Sequence, residues 1–172
     1  MKKVKIKDIA LSAIFVAIIA ATAWISIPTP IGINLTLQIF GVCLAGFYLG
    51  AKKGITSTLV YIIMGAVGLP VFSFFTGGIG ILIGTSGGFL WGFLPAVILC
   101  GLAFNNKSKI IKTILIISAI LICHIFGVAQ YSFVSGVNVW VAILTTSLPF
   151  LVKDIAVAFI ANIIVKKIKK QK

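Results

Sequence analysis

The chain has 172 residues, 60% of them hydrophobic and 10% charged, with a mean hydropathy of +1.23. A soluble domain carries about 25% charged residues to face water, so a water-covered surface is excluded and lipid must solvate the outside. The net charge of +13 comes from lysines, without one arginine, against Asp8 and Asp154; with no basic patch carrying Arg-type base contacts and exposed aromatics, nucleic acid is excluded as a partner.

The first predicted span covers roughly residues 9–27. Its lysine-rich start and apolar run resemble a signal peptide, but the run continues to Ile27 and more membrane segments follow, so it reads as a retained span. Pro28-Thr29-Pro30 ends it, because proline and the residue before it resist helix. The second and third spans, roughly 34–51 and 54–69, lie either side of Lys52 and Lys53. Leu69-Pro70 and the glycines from Gly77 to Gly88 separate the third from the fourth, roughly 85–104. The fifth and sixth, roughly 112–130 and 145–165, are divided where Ser132, Ser135, Gly136 and Asn138 collect. Each span approaches the length of about 20 apolar residues that a bilayer requires. The expected fold is therefore an all-α integral membrane protein, one domain of six transmembrane helices.

The lysines set the expected direction. Lys2, Lys3, Lys5 and Lys7 precede span one, Lys52 and Lys53 join two to three, and Lys107, Lys109 and Lys112 join four to five. Lys166, Lys167, Lys169, Lys170 and Lys172 follow six. Every opposite loop lacks lysine, so the positive-inside rule puts both termini in the cytoplasm.

The outward loops are unusual because they are apolar. Pro70 to Gly92 interleaves phenylalanines and Trp91 with glycines, and non-helical backbone at membrane depth must be buried or line a cavity. That fits a lid folded over a pocket, with Phe74, Ser86, Gly87, Phe89 and Trp91 as candidate ligand contacts. An interfacial aromatic belt with tight turns is the plainer alternative.

Lys153 and Asp154 are the charges inside a predicted span, and intramembrane charges are functional candidates because each costs about 2.5–3.5 kcal/mol on insertion scales. Ser147 as an N-cap, followed by Pro149, would start the helix just before them and set both near its outer end. Neighbouring helical positions point in different directions, so the two side chains are not expected to face each other. A carboxylate accepting N–H donors beside an ammonium suits an amide-bearing or zwitterionic ligand; a packing ion pair is the alternative. Thr36 and Gln38 at the start of span two, and Gln130 and Tyr131 at the end of span five, would join them on the outer side. His124 reads as a hydrogen-bonded packing residue. Cys43, Cys100 and Cys123 show no metal spacing and read as buried apolar groups. No metal site and no catalytic set is expected. No GxxxxGK[ST] phosphate loop occurs, so any energy for uphill transport must come from another subunit. Ala13, Ala17 and Ala21 form a small-residue stripe, suited either to packing in the bundle or to docking a separate membrane subunit.

Ile25-Ser26-Ile27-Pro28-Thr29-Pro30 with Leu35-Thr36-Leu37-Gln38 resembles the start of the BioY family. Gly65-Ala66-Val67-Gly68-Leu69-Pro70-Val71-Phe72 and Gly84-Thr85-Ser86-Gly87-Gly88-Phe89-Leu90-Trp91-Gly92-Phe93 also resemble it, in the same order along the chain. The resemblance implies a non-enzymatic S component of an energy-coupling-factor transporter in the bacterial cytoplasmic membrane. Such a component binds biotin as ligand, with no cofactor, near the outer face. It also implies a transmembrane coupling protein and two cytoplasmic ATPases as partners, the alanine stripe as the coupling protein's docking surface, and Asp154 as the family's last-helix acidic residue. Thr85 stands where the family often has proline, and Val157 where it often has lysine. An S component for another vitamin, a membrane-embedded enzyme and a small ion-coupled carrier are the alternatives, the last two opposed by the scarcity of acid/base and relay groups.

Overall fold

A computed structural model describes residues 6–30 and 33–171; Lys2, Lys3, Lys5 and Lys172 of the topology pattern lie outside them. Helix α1 (Ile6–Trp24) leads into a two-stranded antiparallel ribbon, β1 (Ser26–Ile27) and β2 (Leu35–Thr36), in register Ser26 to Thr36 and Ile27 to Leu35. Pro28 stops α1 early, since it holds the preceding residue extended. α2 (Gln38–Ala66) follows, then a short 3-10 turn (Ser73–Phe75), α3 (Ile79–Ile83), α4 (Gly87–Asn105) and α5 (Lys109–Ser135). α6 (Val139–Ala142) runs through a π turn (Ile143–Ser147) into α7 (Leu148–Lys170).

The expected second and third spans are the two arms of α2, which breaks at Gly50 (φ 79°, ψ 172°), a conformation open to glycine. A straight helix would separate Gln38 from Tyr61 by about 34 Å at 1.5 Å per residue. Instead Gln38 Nε2 donates to Tyr61 Oη at 2.6 Å, so the arms fold back against each other.

Several further boundaries differ from expectation, α7 running on to Lys170 rather than ending near residue 165. α2 starts at Gln38 rather than near residue 34, because Leu35 and Thr36 are taken into the ribbon. α5 runs on past Gln130 and Tyr131 to Ser135, where Gly136 closes it in the left-handed conformation (φ 68°). Ser147 is not an N-cap: its side chain makes no capping bond and the helix is continuous through it. Pro149 has no N–H to give and crowds the carbonyl four residues back, and the π turn is the local widening that accommodates it.

α4 is the central helix, packed most extensively on α5 and α2, with α1 and α7 also laid against α2. Gly88 and Gly92 permit a close approach of α4 to α5: a Cβ on Gly88 would meet Phe126 O at 2.2 Å, and one on Gly92 would meet Cys123 Cα at 2.7 Å. Without water between them, helices in lipid associate through such tight contact. The core is filled by Ile19, Phe47, Tyr61, Phe72, Val97, Ile116 and Ile120, while Ile110, Phe133, Trp140 and Val152 are exposed. α1, α4, α5 and the α6–α7 run are each long and apolar enough to cross a membrane, and the chain is a multi-pass membrane protein.

The charged ends converge. Lys53 Nζ lies 2.7 Å from Asp8 Oδ1, joining the start of α1 to the bend of α2. Lys169 Nζ donates to Phe47 O at 3.1 Å and sits 4.2 Å over the Phe104 ring, with Lys112 over the same ring at 5.6 Å. The loops lie at the other end: Trp24 Nε1 donates to Pro70 O at 3.0 Å and its ring stacks on Phe75 at 4.8 Å.

Candidate ligand site

A cavity opens beneath those loops, with about 80 Å³ in which the centre of a water molecule can move. The ribbon contributes Leu35 and Thr36, the 70–86 loop contributes Phe72, Ser73, Ile81 and Ser86, and α4 contributes Phe89 and Phe93. α7 brings Lys153 and Asp154 to one wall, and Gln38 closes the wall on α2. Asn34 Nδ2 donates to Ser73 Oγ at 2.9 Å, binding the first loop to the second across the roof. Tyr61 Oη donates to Val71 O at 3.0 Å, so the Gln38–Tyr61 contact also anchors the base of the second loop.

Lys153 and Asp154 do meet, contrary to the expectation from neighbouring helical positions. The long lysine folds back to place Nζ 2.6 Å from Asp154 Oδ1. Nζ also donates to Thr36 O, which ties α7 to β2. Oδ1 lies against the ammonium without hydrogen-bond geometry, and no other donor among the described residues reaches it. The second oxygen, Oδ2, is 3.1 Å from His124 Nε2, and His124 Nδ1 is 3.0 Å from Ser147 Oγ. A buried carboxylate is tolerable only when paired and hydrogen-bonded, and this one has both partners. The result is one polar wall, two adjacent charges wide, facing a mainly aromatic and aliphatic chamber. Such a chamber suits a small ligand with an apolar body and a donor-bearing polar end.

Of the sequence candidates, Thr36, Gln38, Ser86, Phe89, Lys153 and Asp154 line this cavity. The other four are placed around it. Tyr131 is buried in a side cluster with Ile33, Val128, Ala142 and Phe150. Gly87 lies under Leu82, whose carbonyl a Cβ would meet at 1.9 Å. Trp91 is half-exposed and donates Nε1 to the same carbonyl at 3.2 Å, and Phe74 is exposed on the outer side of its loop with φ 55°. Gln130 holds that loop too, donating to Leu82 O and Gly84 O at 2.8 and 2.7 Å.

His124, which the sequence reads as a hydrogen-bonded packing residue, is buried and hydrogen-bonded behind the wall, outside the cavity lining. It is 4% exposed and its ring meets Phe89 edge-on at 5.7 Å. The available signal was its place on the inward face of α5, in phase with Ile120, Gly127 and Tyr131; its carboxylate partner, on another helix, had none. Ala13, Ala17 and Ala21 are exposed, while Phe15, Val16, Ile19 and Ala23 carry the packing of α1. The stripe therefore does not carry the packing of α1 among the described residues.

A family model described as the BioY family matches residues 1–172. The chain belongs to the BioY family. Similar BioY proteins include one from Pyrococcus horikoshii described as a probable biotin transporter, 37% identical over 168 residues that make up 96% of this chain and 98% of its own. A biotin transporter BioY from Thermotoga maritima is 42% identical over 98 residues, 57% of each chain. Among solved structures, the S component for biotin from an ECF-type ABC transporter superposes with a TM-score of 0.88 at 25% identity, over 97% of this chain and 93% of that one. The fold is thus shared with that S component over nearly the whole chain.

Proposed function

We propose that this chain is the biotin-binding S component of an energy-coupling-factor transporter, a single membrane domain that captures biotin and contains no engine. The observation that carries the proposal is the Lys153–Asp154 wall in a closed-over cavity of a BioY-family fold. Biotin has a cyclic urea with two N–H donors and a carbonyl, a fused thioether ring, and a carboxylated tail. Asp154 accepts from N–H donors, Lys153 offers its ammonium to an acceptor, and Phe72, Phe89 and Phe93 pack the apolar middle. Thr36, Gln38 and Ser86 add polar contacts, and Gly87, Trp91, Phe74 and Tyr131 frame the loop and the adjoining helices.

The protein makes six crossings with both termini in the cytoplasm of a bacterial plasma membrane. The folded-back α2 and the convergence of lysines at one end of the bundle support that orientation, under which the cavity faces outward. Ligand movement inward relies on a transmembrane coupling protein and two cytoplasmic ATPases, with the exposed face of Ala13, Ala17 and Ala21 as the docking surface.

The test is equilibrium binding of biotin to the purified chain in detergent, with riboflavin and thiamine as controls. Selective biotin binding without ATP is expected. A well-folded preparation that ignores biotin, or takes another vitamin in preference, would overturn the proposal.

A further inference from the structure

Asp154 is the acidic group of the cavity wall, yet its geometry is set from outside the cavity. The chain of causes begins at Pro149, which imposes the π turn over Ile143–Ser147. That turn points Ser147 Oγ inward, 3.0 Å from His124 Nδ1. An ionised carboxylate only accepts, so the His124 nitrogen facing it, Nε2, must carry a proton. Nδ1, 3.0 Å from Ser147 Oγ, is then placed to accept from that hydroxyl. Both nitrogens of the imidazole are thus committed, and the edge-on Phe89 ring at 5.7 Å holds its plane.

His124 is not in the lining. We infer that it is a positioning residue of the ligand site: through Nε2–H it takes Asp154 Oδ2 out of play and leaves Oδ1, buried against the Lys153 ammonium without a hydrogen-bond donor, as the acceptor for the ligand's N–H groups. Without that donor the carboxylate is free to rotate about its last torsion, which is broad for Asp, and both oxygens compete for Lys153. The ligand then meets an acceptor that has to be ordered on binding, and rigid presentation is what sustains affinity.

This rests on the cavity being the biotin site, and the experiment separates the two. Biotin dissociation constants are measured for the detergent-purified wild type, Asp154→Asn, His124→Gln, His124→Asn and His124→Phe, together with each protein's ligand-free melting temperature. Glutamine reaches far enough to return an amide N–H to the Nε2 position; asparagine is too short, and phenylalanine keeps the ring but no donor. His124→Gln is expected within about threefold of wild type, and His124→Asn and His124→Phe to bind at least about tenfold more weakly, roughly 1.4 kcal/mol. Wild-type affinity in His124→Asn, or equal losses in all three variants that follow their melting temperatures, overturns the positioning role. Failure of the wild type to bind biotin, or an unaffected Asp154→Asn, overturns the underlying site instead. If His124→Phe does not fold, the Gln and Asn pair decides, since both are polar and differ in reach.

Discussion

Lys153 Nζ donates to the main-chain carbonyl of Thr36, so the last helix is tied directly to the ribbon that roofs the cavity. The same ammonium balances Asp154, which makes Lys153 both a wall of the site and a strut of its roof. Lys153→Ala removes both functions and Asp154→Asn leaves the ammonium unbalanced. Each is expected to weaken biotin binding at least about tenfold, roughly 1.4 kcal/mol, in equilibrium binding with folded protein. Wild-type affinity in both would move the polar end of the ligand elsewhere.

The Tyr61 hydroxyl joins the two arms of α2 and the 70s loop through one oxygen. Tyr61→Phe leaves the Gln38 amide and the Val71 carbonyl unpaired in a buried place, a loss of about 1–3 kcal/mol. Thermal unfolding in detergent should show it. Because the two groups share one bond, Gln38→Leu combined with Tyr61→Phe should cost less than the sum of the single changes; strict additivity would mean that they act independently.

Gly50 turns the chain in a conformation that side chains avoid, and no atom lies within 4 Å of where a Cβ would stand. Gly50→Ala therefore meets backbone strain alone, of order 1–3 kcal/mol. The melting temperature should fall while biotin affinity stays unchanged, since the bend lies at the opposite end from the cavity. Lost affinity at an unchanged melting temperature would contradict that separation.

Ala17 faces outward on α1. Ala17→Leu is expected to leave biotin binding intact and to abolish co-purification with the coupling protein, because a bulky residue prevents close helix approach. Retained co-purification would place the partner on another face.

Much of the helical layout was legible because lysines, prolines and glycines interrupt otherwise uniform hydrophobic tracts. The ends of the helices were less so. Gln130 and Tyr131 look like a boundary in sequence, yet Gln130 stays helical because its amide finds the carbonyls of Leu82 and Gly84. Ser147 has the composition of a cap, but Pro149 and His124 together give its hydroxyl a different partner. In the site, Lys153 and Asp154 stood out because charge is rare inside a span, and Thr36 and Gln38 because they follow the proline loop. His124 did not stand out: its carboxylate comes from a helix 30 residues away, and local spacing carries no trace of that pairing. Trp91 and Phe74 carry the aromatic signature of a ligand contact, but the turns around them direct one ring to the loop's support and the other to the outside.

Trp24 is the last residue of α1, the helix whose outer face carries the alanines, and its indole is both hydrogen-bonded to Pro70 and stacked on Phe75. Phe75, like Phe74, holds a positive φ that side chains adopt at a cost. A rigid tilt of α1 therefore cannot leave the loop where it is: either the loop travels with the helix, or the indole lets go first and the two phenylalanines are freed to relax. Leverage applied along one side of the molecule would in this way reach the doorway of the chamber through an aromatic hinge-pin.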